Sequence, residues 1–110
     1  METTSSNRLV LVSVNSYDKA THIAKILVTD QLASYCSVMP NISSFYSWNN
    51  SIMVNHDNLI IIRTSFELVA SIEERINQLY QNDAIQIITL SIAEASESFF
   101  LWTKAVLESK

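Results

Sequence analysis

The stretch that decides the fold is residues 32–64, LASYCSVMPNISSFYSWNNSIMVNHDNLIIIRT. It reads as two extended arms joined at Asn49-Asn50. From Ile42 onward the even positions run Ile42, Ser44, Tyr46, Trp48, then Ile52, Val54, His56, Asn58, Ile60, Ile62. The odd positions run Ser43, Phe45, Ser47, then Met53, Asn55, Asp57, Leu59, Ile61. Period-two writing rich in β-branched and aromatic residues specifies β-strand. Each arm is about a dozen residues or more, against a usual ~5–6 for a strand. A hairpin of that length outruns the core of a small domain, so its far end, around Tyr46 to Val54, is expected to project. Bare strand edges carrying Trp48, Ile52 and Met53 invite association. A second copy of the chain is the simplest cover, so the hairpin alone predicts a homo-oligomer.

The 110 residues around this hairpin make one domain, with enough chain for a real core. Residues 1–7 are polar and expected to be loose, and 8–110 to form the single domain. Hydrophobic residues are 48% and charged ones 16%, the balance of a globular chain. A net charge of -4 leaves no surplus of Lys and Arg to neutralise phosphates, which argues against a nucleic-acid partner. No apolar run approaches the ~18 residues of a membrane span. METTSSN lacks the basic and apolar regions of a signal peptide. The single cysteine, Cys36, makes no internal disulfide and no thiolate zinc cage. A cytoplasmic protein is the expectation. Glycine is absent altogether. That removes the P-loop, the dinucleotide fingerprint and the G-x-S-x-G elbow. Tight turns must then use Asn and Asp in left-handed geometry, expected at Asn49-Asn50, Asn55 to Asn58 and Asn82-Asp83.

In chain order, Arg8 to Val14 (RLVLVSV) reads as a central buried strand. Asn15 or Ser16 caps a helix with Asp18 in its first turn and Ala20, Ile23, Ala24, Leu27 and Leu32 facing inward. The hairpin follows. Thr64-Ser65-Phe66-Glu67 is a capping-box pattern opening a second helix whose buried side is Leu68 or Val69, Ile72, Ile76 and Leu79. Ala84 to Ile92 reads as a fourth strand, and Ser96 caps a last helix carrying Phe99, Phe100, Trp102, Ala105 and Val106. A β-α-β-β-α-β order is the ferredoxin-like α+β arrangement, an antiparallel sheet with two helices on one face. Its other face keeps apolar residues, a second reason to expect association.

Leu32-Ala33 running to Pro40, then Ser44, Tyr46 and Trp48, then Ile52, then Leu59-Ile60-Ile61-Ile62-Arg63-Thr64, and finally Phe99, Phe100 and Trp102 resemble, in order and spacing, the CutA divalent-cation-tolerance family. The resemblance spans Leu9 to about Lys110. It implies a ferredoxin-like homotrimer, similar in architecture to PII signalling proteins, with the long hairpin reaching onto a neighbouring subunit. It also implies tolerance of copper or other divalent ions. The departures lie before the fourth strand, where the family's H-P-Y-E-x-P-E motif is replaced by Tyr80-Gln81-Asn82-Asp83-Ala84-Ile85-Gln86. The family's A-A-C cysteine is shifted by one place, to Cys36, which in a strand means the opposite face.

Candidate chemistry follows from these residues. His56-Asp57 is the best local metal pair, since imidazole and carboxylate suit copper or zinc. Their side chains point to opposite faces of a regular strand, and a solvated polar patch is the plainer reading. Cys36, with Met39 or Met53, would suit Cu(I), though a lone Cys in an apolar strand is ordinarily a small core hydrophobe. His22 is expected on an exposed helix surface. Tyr46, Trp48 and Arg63 are the candidates for a small-ligand cleft between subunits. Arg63 followed by Thr64 and Ser65 at a helix start makes an anion seat; interface packing is the plainer role for Tyr46 and Trp48. No nucleophile stands beside a base, so no enzyme is expected. The sequence thus points to a non-enzymatic trimer that binds a metal or small ligand between subunits. The alternatives are a structural scaffold or a PII-like signalling protein acting on other proteins.

Overall fold

The computed structural model describes residues 6–81, 83 and 85–108. Its elements are β1 (Asn7–Val14), α1 (Tyr17–Thr29), β2 (Tyr35–Trp48), β3 (Ser51–Ser65), α2 (Phe66–Leu79), β4 (Gln86–Ser91) and α3 (Glu97–Glu108). The ferredoxin-like order is present with a third helix added. The strands form one antiparallel sheet in the order β2-β3-β1-β4. The expected loose segment falls mostly on residues 1–5, which lie outside the described residues. Ser6 is already tied down, its carbonyl accepting the Phe66 N–H at 2.6 Å.

Register decides what each face carries. Val10 opposes Ile62 and Val12 opposes Ile60, and opposed residues share a face. Those four and Val14 pack against Ala20, Ile23, Ala24 and Leu27 of α1 and Ile72 and Ile76 of α2. Ser16 caps α1, its Oγ accepting the Lys19 N–H at 3.3 Å. Leu32 follows the end of α1 and packs against the core from the connecting loop.

Three local expectations are corrected. The capping box at Thr64 does not form. Thr64 is a buried strand residue whose hydroxyl donates to the Leu32 carbonyl at 2.7 Å, and Ser65 takes the N-cap place without a side-chain bond. Asn55 to Asn58 is regular strand, not a turn. Asn58 is buried there, its Nδ2 donating to the Val14 carbonyl at 3.4 Å. Among the described residues the left-handed positions are Gln31, Asn41, Asn49 and Asn50; Asn82 and Ala84 lie outside them. The fourth strand is also shorter than expected, opening at Gln86.

Asn41 marks a bulge. The β2–β3 pairing slips between Met39 and Ile42, with Asn41 at φ 56°. Pro40 has no N–H for a ladder, so a bulge is where a strand tolerates it. The extra residue inverts which side chains of β2 face the helices. Before it, Cys36 and Val38 oppose Ile62 and Ile60 on the core side; after it, Phe45 opposes Val54 and Ser43 opposes His56 on that side. Tyr46 opposes Met53, and Trp48 opposes Ser51, on the other side.

β1 pairs with β3 only as far as Asn58. Beyond that point residues 42–57 form a two-stranded ribbon, closed by Asn49 (φ 51°) and Asn50 (φ 63°). Two successive left-handed residues make the type I′ turn that matches strand twist. The ribbon stretches the subunit to 47 Å along its longest axis. Both of its faces are apolar and bare: Phe45, Ile52 and Val54 on one, Tyr46, Trp48 and Met53 on the other.

Candidate functional site

The face turned away from α1 and α2 carries Leu9, Leu11, Leu59, Ile61 and Arg63, by alternation with the buried even positions. α3 lies across one end of this face and covers part of it. Trp102 meets Tyr35 edge to face, with ring centroids 5.9 Å apart. Phe99 meets Arg63.

Arg63 is held from both sides. Its carbonyl accepts the Ser34 N–H at 2.9 Å and the Ser34 hydroxyl at 3.3 Å, which anchors the start of β2 to β3. Tyr35 opposes Arg63 across the ladder. The guanidinium carbon sits 4.1 Å from the Tyr35 ring centroid and 5.1 Å from that of Phe99. Both lie within the ~6 Å reach of a cation–π contact. Arg63, Ser96, Ser98, Phe99 and Trp102 line an open cleft of about 490 Å³. Ser96 caps α3, its Oγ accepting the Phe99 N–H at 3.3 Å and lying 3.1 Å from the Ser98 Oγ. Tyr35, Phe99 and Trp102 come from segments remote in sequence, and no spacing rule joins them to Arg63. The run of aromatics at the start of the last helix was the available signal.

The other candidate residues are dispersed. Tyr46 and Trp48 share the face of Arg63 but sit at the ribbon's far end, roughly 33 Å along β3. One subunit does not bring these three together. Asp57 opposes Ile42 and His56 opposes Ser43, so His56 and Asp57 point to opposite faces. His56 Nδ1 lies 3.4 Å from the Ser43 hydroxyl. Cys36 is on the core side against α1, roughly 20 Å along the sheet from His56. Burial pushes its thiol up to about 12, so at neutral pH it stays protonated and is a poor metal ligand. It borders a shallow hollow of about 300 Å³ with Ala24, Lys25, Val28 and Thr29. No group of three or more His, Cys, Asp or Glu converges among the described residues. Within one subunit the described residues thus bring no such donor set together.

The stretch that departs from the family motif has found other work. Lys19 of α1 pairs with Asp83 at 2.6 Å and lies over the Tyr80 ring. His22, exposed as expected, shares a 2.8 Å hydrogen bond with the Tyr80 hydroxyl. These contacts fasten the link before β4 to α1. A second cleft, about 520 Å³, runs along α2 beside Glu73, Glu74 and Asn77 and holds no cation or aromatic ring. No helix among the described residues is long and apolar enough to cross a membrane.

Comparison with known proteins agrees with the fold. The divalent-cation tolerance protein CutA of Thermus thermophilus is 28% identical over 96 residues, covering 87% of this chain and 93% of that one. The chloroplastic CutA of Arabidopsis thaliana is 27% identical over 87% of this chain, which spans only 53% of that longer protein. The crystal structure of the divalent ion tolerance protein CutA1 from Ehrlichia chaffeensis superposes with a TM-score of 0.83. It is 26% identical, covering 94% of this chain and 97% of that one. The family described as CutA1 divalent ion tolerance protein matches residues 8–106. With that match and this sheet order, the chain belongs to the CutA1 divalent ion tolerance family.

Proposed function

We propose that this protein serves divalent-ion tolerance as a non-catalytic homotrimer that binds a metal ion, copper among them, or a small ligand between subunits. The observation that supports assembly is the ribbon of residues 42–57, apolar on both faces and paired with nothing on its β3 edge. A ribbon laid by its Tyr46 and Trp48 face on a neighbour's sheet covers Trp48, and the opposite face with Ile52 needs a second contact. The ribbon also carries Tyr46 and Trp48 toward a neighbour's Arg63, the only way those three residues meet in one cleft. An ion site, by the same logic, draws on more than one subunit, with His56 and Asp57 as its donors and Cys36 too protonated to lead. The lone unpaired thiol suits a reducing compartment such as the cytoplasm.

Native mass spectrometry of the untagged protein, before and after Cu(II) or Zn(II), reads oligomer and bound ion together. A trimer that takes up whole numbers of ions, fewer in His56→Ala, is the expected result. A monomer at micromolar concentration would refute the assembly reading. An intact trimer that binds no ion would refute the metal reading and leave the small ligand.

A further inference from the structure

We infer that the Arg63 cleft is a binding site for a small organic carboxylate whose apolar body lies on Trp102 and Phe99. This deepens the small-ligand reading above but uses the residues of one chain only.

The chain has 11 acidic residues and 7 Lys and Arg, so its cations have carboxylates to choose from. Lys19 takes Asp83 at 2.6 Å, and Arg75 takes Asp30 at 3.2 Å. Arg63, half buried, makes no ion pair or side-chain hydrogen bond among the described residues. Instead two aromatic rings hold it at the wall of a cleft. A guanidinium packed on aromatic faces keeps its N–H edge for planar acceptors, and carboxylate matches that edge with two parallel bonds.

The serines add a donor. Ser96 and Ser98 carry two hydroxyl protons, and the 3.1 Å bond between them uses one. The Ser96 oxygen also accepts the Phe99 N–H. One O–H therefore remains for a ligand oxygen in the same cleft. The rest of the lining is Phe99 and Trp102, so an anion bound at Arg63 has apolar surface beside it. A cleft of about 490 Å³ falls within the ~300–1,000 Å³ of small-molecule sites. It is large for a bare inorganic anion and fits one carboxylate on a ring or short chain.

The test is a titration of the full-length protein with benzoate, read on the Trp102 indole N–H in a nitrogen–proton correlation spectrum, with sedimentation run in parallel. Benzyl alcohol and inorganic phosphate serve as separate probes. The expected result is a saturable shift with benzoate and none with benzyl alcohol. The affinity falls at least tenfold in Arg63→Gln and severalfold in Ser98→Ala, an exposed position where folding is not at stake. Phosphate binding as tightly as benzoate would overturn the organic body. Equal binding by Arg63→Gln and the parent, or no saturable shift with benzoate, would overturn the site. A monomer that still binds benzoate would count against the assembly reading alone, whereas a trimer that fails to bind it counts against this inference alone.

Discussion

Trp48→Ala tests the assembly most directly. In the subunit Trp48 is 63% exposed. A tryptophan presents up to ~250 Å², so roughly 150 Å² is left for a neighbour to cover, worth about 4 kcal/mol at ~25 cal/mol per Å². That figure is a ceiling, because alanine keeps part of the contact and the interface relaxes. A closed trimer repeats the contact three times, and its midpoint concentration moves with the square root of the dissociation constant. Even half of the ceiling, about 2 kcal/mol per contact, raises the midpoint on the order of a hundredfold. Sedimentation velocity over a dilution series from micromolar to nanomolar measures it, with circular dichroism to show that each subunit keeps its sheet. If Trp48→Ala dissociates over the same range as the parent, the ribbon face carrying Trp48 is not an interface. The case for the long hairpin as an assembly device then fails.

Four further outcomes follow from particular residues. Cys36, with its thiol raised to about 12, should alkylate with iodoacetamide roughly a thousandfold more slowly at pH 8 than a free thiol of pKa near 9, since only thiolate reacts; ordinary labelling rates would refute its burial. Because that pKa lies above the unfolded value of 9.0, the stability it contributes is whole below pH 9 and is lost as pH rises toward 12, visible as a falling denaturation midpoint. The buried Thr103 hydroxyl has no partner among the described residues, so Thr103→Val should stabilise by about 1 kcal/mol in urea unfolding, and a loss would mean the hydroxyl is bonded. At the ribbon turn, where Asn50 stands at φ 63°, Asn50→Ala should cost about 1 kcal/mol and Asn50→Gly little or nothing; equal melting of the alanine variant would exclude the type I′ geometry.

The parts of this structure legible in sequence are those set by local periodicity. β1 and the inward stripe of α1 repeat an apolar pattern over a whole element, and the hairpin arms alternate on either side of the bulge at Asn41. The patterns that failed were short. Thr64 to Glu67 spells a capping box, but the Thr64 hydroxyl bonds the Leu32 carbonyl, a partner no local motif can name. The polar run Asn55 to Asn58 resembles a turn because it lies where β3 leaves β1: Asn58 still meets Val14 at the edge of the core, and Asn55 to Asp57 pair only with β2. The bulge had a signal, a proline inside a strand followed by Asn41, and its effect was to exchange faces. At the site, Arg63 was legible as a residue to follow, and its setting is a cleft beside α3 in place of the expected seat at the start of α2. The Phe66 N–H there bonds Ser6, and the aromatic walls come from β2 and α3, joined to Arg63 only by the tertiary fold.

The ribbon also bears on how such an assembly would live in time. A two-stranded hairpin without a sheet beneath it is marginal in water, so in a trimer of the kind proposed residues 42–57 would gain stability when a neighbour receives them. Ordering the arm and recruiting the neighbour become one event, and dilution acts as a local denaturant confined to this part of the chain. In such an assembly a subunit would leave only by withdrawing its own arm and releasing another's, so exchange between assembled particles would be slow.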